Sequence, residues 1–111
     1  MATLDKAITV DLNDQPEYQR LVAGAPETHG MKSGRVYLEP GKACGQHSTH
    51  GNEEVLVFLA GKGCLHIGEN DRLDVGAGKV AYIPPETLHD VENTNSEPLV
   101  YIFCVAPAGG Q

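Results

Sequence analysis

His47, His50, Glu53 and Glu54 place two imidazoles and two carboxylates within eight residues. Nitrogen and oxygen donors of this kind suit Zn, Fe, Mn, Ni or Cu, and no close-spaced cysteine pair stands beside them to build a thiolate zinc site. A local cluster cannot fill a coordination shell by itself, so a further donor has to come from elsewhere in the chain. His89 is the natural candidate. It follows the rigid Pro84-Pro85 pair at the start of a strand-like run, where alternation puts His89, Val91 and Asn93 on one face and Asp90 and Glu92 on the other. Histidine and glutamate clusters near turns also occur on solvated surfaces, so the first segment alone does not decide between a metal site and a polar face.

The elements that must position these residues are short strands. Turn residues recur regularly, at Pro40-Gly41, Gly61-Lys62-Gly63, Gly68-Glu69-Asn70-Asp71, Gly76-Ala77-Gly78, Pro84-Pro85 and Asn93-Thr94-Asn95. Between them lie runs rich in Val, Ile, Leu, Tyr and Phe at 35–39, 54–60, 64–67, 73–75, 79–83, 89–93 and 99–105. Strand-length runs punctuated every 8 to 12 residues or so predict an all-β sandwich or barrel. No segment carries a helical period. Residues 16–22 suit either a helical turn or an edge strand. Gly61–Gly63 and 68–71 are expected to be hairpin connections, because Gly, Asn and Asp supply the positive φ that tight turns need. The run Val55-Leu56-Val57-Phe58-Leu59 is apolar on both faces, which implies that a second sheet or another subunit covers its outer face and makes a homodimer a reasonable expectation.

Bulk properties narrow the partners. With 111 residues the chain fits one domain, and no stretch approaches the roughly 20 apolar residues of a membrane span. A formal net charge of −7, with 8 scattered basic residues, disfavours nucleic acid, whose binding needs clustered Lys and Arg. No membrane partner is expected either. Cys44, Cys64 and Cys104 are far apart and odd in number, unlike a disulfide framework, and fit reduced thiols. The opening MATLDKAITVDLNDQPEYQR lacks the basic-then-apolar layout of a secretory signal, so a cytoplasmic location is expected.

Two segments together resemble the paired motifs of the small single-domain cupins. In the first, Gly41 is followed after five residues by His47, then by His50, Glu54 and Gly61; in the second, Gly78 is followed after five residues by Pro84, then by His89 and Asn93. The spacings match, and the motifs span nearly half of the chain. The resemblance implies an antiparallel double-stranded β-helix, or jelly-roll barrel, over 33–106, preceded by an arm with strands at 1–32 and followed by a flexible tail at 107–111. It also implies one divalent transition metal, Mn, Fe, Zn or Ni, bound by His47, His50, Glu54 and His89, with Glu54 rather than Glu53 as the carboxylate.

The chain departs from the family pattern at two places. The first two histidines are usually one residue apart, but here Thr49 holds the expected position and His50 follows it. Residues 47 and 50 of an ideal strand point to opposite faces, so joint ligation predicts a β-bulge around Ser48-Thr49. The second motif usually has glycine where this chain has Glu86, which is expected to alter a turn at the barrel mouth without removing a ligand. Cys44, three residues before His47, could stand near the metal or at the mouth but reads first as a small apolar filler; His66 reads as a lining or surface residue, His29 as an ordinary loop residue, and the tyrosines as core or cavity lining, one of whose hydroxyls could orient a substrate.

The resemblance spans sugar isomerases and epimerases, dioxygenases, decarboxylases and lyases. It therefore implies a metal-dependent enzyme acting on a small oxygen-rich metabolite such as a sugar derivative or a hydroxy or keto acid. The alternatives are a non-catalytic module that binds or senses a metal or small metabolite, and a barrel whose metal only stabilises the fold.

Overall fold

The computed structural model describes residues 5–109, which form nine strands and no helix. In chain order these are β1 (Gln19–Ala23), β2 (Lys32–Leu38), β3 (His47–Ser48), β4 (Asn52–Ala60), β5 (Lys62–Ile67), β6 (Asp71–Gly76), β7 (Val80–Ile83), β8 (Leu88–Glu92) and β9 (Leu99–Pro107). They pair antiparallel in two sheets, ordered β1-β2-β9-β4-β7 and β3-β8-β5-β6. The fold is the all-β double-stranded β-helix barrel that the motif resemblance implied. Each expected run from 35–39 onward became a strand, and of residues 16–22 the last four fall in the edge strand β1, with no helical turn before them. The expected frayed tail begins inside β9, and its residues 110–111 lie outside the described residues.

Period-two alternation places the core. Along β4, Glu54, Leu56 and Phe58 are buried, while Glu53 and Leu59 are exposed and Val55 and Val57 are half-buried. Leu56 lies opposite Phe103 on β9 and Ala81 on β7; Phe58 lies opposite Tyr101. From the other sheet, Leu65 and Val91 face them, opposite one another across β5 and β8. Leu56, Phe58, Leu65, Ile83, Val91 and Leu99 are essentially excluded from water, each contributing about 1.5–3 kcal/mol of apolar burial.

One connection differs from its sequence expectation. Gly68–Asp71 does close a hairpin, with Ile67 opposite Asp71, but Gly61 does not. β4 and β5 belong to different sheets, so Gly61 is a corner where the chain crosses between them. Its φ of 84° and its place against the Pro98 carbonyl, which a Cβ would strike, make glycine necessary there. Gly34 matters for a second reason. Its missing side chain leaves room for the Tyr18 ring, which stacks against Phe103 with ring centroids 6.4 Å apart and so lines the cavity from the segment before β1 while staying exposed on its other side.

Candidate metal centre

Three strands from both sheets deliver the donors. β3 and β8 pair so that His47 lies directly opposite His89, which puts both imidazoles on one face with ring centroids 4.3 Å apart. Glu54 comes from β4 in the facing sheet. Its Oε1 stands 3.1 Å from His89 Nε2, and one donor atom from each of His47, Glu54 and His89 lies within 4.8 Å of the others. His89 and Glu54 are buried, and His47 is open at the mouth.

Hydrogen bonds fix which nitrogens face the site. His89 Nδ1 is 3.0 Å from the Thr87 carbonyl and His47 Nδ1 is 2.7 Å from the Gly45 carbonyl. A carbonyl only accepts, so each Nδ1 carries the proton and each Nε2 is left as the free donor atom. Anchoring the far ring nitrogen on a carbonyl is how metal-binding histidines are usually held. The 3.1 Å approach of His89 Nε2 to Glu54 needs positive charge between them, either a proton or a cation. Burial disfavours the imidazolium of His89, but the Glu54 hydrogen bond, the Thr87 carbonyl and the nearby Glu54 and Asp90 charges together hold its pKa above the ordinary histidine value. The donor chemistry therefore fits a divalent transition ion: two neutral imidazoles and a carboxylate, on scaffolds that are already oriented.

His50 stands apart from this group. β3 ends at Ser48, and no register shift marks a bulge there; the chain instead turns, with His50 in the left-handed region at φ 52°. Its side chain is exposed and lines the same cavity at the mouth. Thr49, in the position where the motif usually has histidine, is buried and structural: its hydroxyl donates to the Pro84 carbonyl at 2.7 Å and accepts from the Thr87 N–H at 3.0 Å. This ties the β3–β4 turn to the β7–β8 connection that leads into the strand carrying His89. Glu86, in the motif's glycine position, keeps the glycine-like backbone with φ 56°, and its N–H donates to the His50 carbonyl at 2.8 Å.

The remaining sequence candidates separate clearly. Glu53 is exposed and accepts a hydrogen bond from the Tyr82 hydroxyl at 2.9 Å, not an ion pair with a basic side chain. Asn93 is fully buried just beyond β8, where its amide donates to the Leu38 and Glu97 carbonyls and clamps the end of β2 to the β8–β9 loop. His66 lies on the outer face paired with Glu92, and His29 pairs with exposed Asp5. Cys44 is not a core filler: the residue is solvent-open, and its thiol lines the cavity beside Tyr101, where desolvation by the wall pushes its pKa up. Sequence reasoning left unassigned the Gly45 and Thr87 carbonyls that orient the histidines and the structural role of Thr49. Backbone acceptors carry no residue signature, so only the fold reveals them.

A cavity of about 440 Å³ opens beside these donors, walled by Val36, Leu56, Val91, Phe103 and Tyr101. This is the size and apolar character of a small-molecule site.

The comparisons agree with this architecture. The Cupin domain family matches residues 34–105, and the chain belongs to that family. An uncharacterised protein of Methanocaldococcus jannaschii is 34% identical over 61 residues, covering 55% of this chain and 48% of that protein. A Cupin 2 conserved barrel domain protein from Salinispora arenicola superposes with a TM-score of 0.74 at 22% identity, covering 93% of this chain and 92% of that one. Oxalate decarboxylase from Bacillus subtilis aligns at 28% identity with a TM-score of 0.64, over 69% of this chain and 21% of that one. The chain spans about half the length of the curated relatives it matches. Among the described residues no helix is long and apolar enough to cross a membrane.

Proposed function

We propose that the protein is a divalent-metal cupin that acts on a small oxygen-rich metabolite bound beside the ion. The observation that carries this reading is the convergence of His47, Glu54 and His89 from three strands of two sheets, each imidazole already oriented by a carbonyl, on the wall of an apolar cavity. A transition ion with three protein donors keeps open positions, and bound there it would supply Lewis-acid polarisation of a ligand oxygen. The chain's own residues do the rest. His47 and His89 present Nε2, Glu54 supplies negative charge, and Leu56, Val91 and Phe103 exclude water. His50 takes one of two roles at the mouth, fourth ligand or proton carrier. The similarity to an oxalate decarboxylase supports a small acid as substrate, and the reaction proposed is of isomerase, lyase or dioxygenase type.

Elemental analysis of protein purified without chelator or metal-affinity resin is expected to find about one Mn, Fe, Zn or Ni per chain, and turnover of a panel of keto acids, hydroxy acids and sugars should require that ion. Absence of any such metal, with no uptake on addition, would refute the metal reading. Metal uptake with ligand binding but no turnover would instead assign the alternative, a non-catalytic module that binds or senses a metabolite. A His50→Ala variant that keeps the metal and loses turnover makes His50 the proton carrier.

The homodimer belongs to the same proposal. The outer face of β4 and β7 carries Leu59, Val80 and Tyr82, exposed by 43%, 67% and 56%, next to half-buried Val55 and Val57. No second sheet covers it among the described residues, so another copy of the chain is the remaining cover. Sedimentation as a monomer at every concentration would overturn this.

A further inference from the structure

Nearly every buried polar side chain in the described structure answers to a nitrogen or oxygen partner. Ser33 donates to the Phe103 carbonyl, Arg35 to the Gln15 and Glu17 carbonyls, Thr49 to Pro84 and Asn93 to Leu38 and Glu97, while Glu54 and His89 face each other. Tyr101 is the exception. It is 97% buried, being 3% exposed, and the hydrogen-bond partner of its hydroxyl is the Cys44 thiol rather than a nitrogen or oxygen of the described residues. The groups that act on it are the Cys44 thiol, a weak acceptor, and the Glu54 and Asp90 charges. Tyr101, Cys44 and Glu54 all line the cavity.

The phenol is held in place. Tyr101 sits on β9 opposite Val36 and Phe58, and its ring packs on Phe58 with centroids 5.1 Å apart, so turning the hydroxyl away would require repacking the core. Burial pushes its pKa far up, which keeps it a hydrogen-bond donor. The electrostatics of the cavity point the same way. Of the chain's 15 Asp and Glu residues, only Glu54 lines it among the described residues, and Lys32 adds a positive charge, in a chain of formal net charge −7.

We propose that Tyr101 is a substrate-binding residue: its hydroxyl donates a hydrogen bond to an anionic oxygen of a small hydroxy or keto acid held at the His47, Glu54 and His89 site, which makes the substrate class an acid rather than a neutral sugar. A donor fixed in an apolar wall favours a charged acceptor over a neutral one, because hydrogen bonds to charged groups are the stronger kind and water cannot compete. This inference rests on the metal reading above and narrows it.

The test uses the Mn(II)-loaded protein with glycolate and its neutral amide, glycolamide, as probes. Binding is read by calorimetry and by the loss of water-proton relaxation when a probe displaces water from Mn(II). Glycolate should bind in preference to glycolamide, and Tyr101→Phe should weaken glycolate by at least about tenfold while leaving Mn(II) affinity and thermal stability near those of the parent. Tyr82→Phe, which removes a hydroxyl on the outer face, should change neither. The inference falls if Mn(II) binds but Tyr101→Phe keeps glycolate within twofold, if glycolamide binds as well as glycolate, or if the loaded protein binds no glycolate. In each of those results the metal reading stands. Failure to take up Mn(II), Zn(II), Fe(II) or Ni(II) at all removes the metal reading first, and with it the acid assigned to that ion.

Discussion

Strand β8 has a histidine–glutamate pair on each of its faces. Inside the barrel, His89 Nε2 meets Glu54 Oε1 at 3.1 Å; outside, His66 Nε2 meets Glu92 Oε1 at 2.8 Å. The outer pair has the shorter contact and the weaker claim to chemistry. Its side chains are 33% and 41% exposed, against 2% and 8% for the inner pair, so solvent and salt screen it. Among the described residues no third donor completes a group with it, and its second ring nitrogen faces the Cys64 sulfur at 4.0 Å rather than a carbonyl. The inner pair has His47 across the strand, Thr87 behind the ring and a cavity in front. Proximity of an imidazole and a carboxylate does not make a site; desolvation, a third donor and an oriented tautomer do.

Removing one member of each pair gives the largest expected contrast. His89→Ala should lower metal affinity by more than about a hundredfold, since losing a direct ligand should cost more than the tenfold to hundredfold known for outer-shell changes, whereas His66→Ala should leave it unchanged. Calorimetric titration of both variants with Zn(II) measures this; equal losses would erase the distinction. Stability should follow the same order. Glu54→Ala strands a buried imidazole and should cost about 3 kcal/mol in the metal-free protein, while Glu92→Ala breaks a screened surface pair and should cost less than about 1 kcal/mol. Urea unfolding of the two variants tests it.

Acidity separates the pairs in a second way. The folded-state pKa of His89 is raised, so in the metal-free protein its pairing with Glu54 contributes stability that is complete below the unfolded histidine value and is lost as pH rises through the higher folded value. Metal binding runs the opposite way, because the ion must displace the His89 proton. Apparent metal affinity should therefore rise with pH through the neutral region, by about tenfold per unit below the raised pKa if one proton is released, and then level off. His66→Ala should leave that profile in place. A flat profile would mean that the ion does not replace this proton.

Much of this was legible in the residues, for identifiable reasons. Strand positions and buried faces follow from period-two alternation, and Glu54, His89 and His47 follow from motif spacing. What stayed hidden depended on how strands are assigned to sheets or on backbone acceptors. Gly61 reads as a hairpin glycine because local sequence cannot say that β4 and β5 belong to different sheets. His50 reads as a ligand because counting back from Glu54 gives the right number, whereas the turn with its left-handed backbone leaves it at the cavity mouth, outside the group of three donors. Thr49 looks like a lost histidine and is in fact the clasp between two loops. Tyr101 was one of several tyrosines until packing left its hydroxyl facing the cavity with only a thiol beside it.

The turns that support the two pairs also differ, and this gives the smallest expected effect. The β5–β6 hairpin beside the outer pair has Gly68 at φ 61°, the residue that such a backbone favours. The mouth of the inner site instead holds His50 and Glu86 at φ 52° and 56°, linked by the Glu86 N–H to the His50 carbonyl. Non-glycine residues in this region store strain of order 1–2 kcal/mol. Glu86→Gly should therefore stabilise the protein by about 0.5–1 kcal/mol, and Gly68→Ala should destabilise it by a similar amount, both read from thermal melts. Glu86 is not one of the grouped donors, so the gain should leave metal affinity within about twofold, as expected when strain is relieved away from the ligands. A Glu86→Gly protein that is more stable but binds metal far more weakly would show that the strained mouth itself, through His50, is part of what sets the inner pair apart from the outer one.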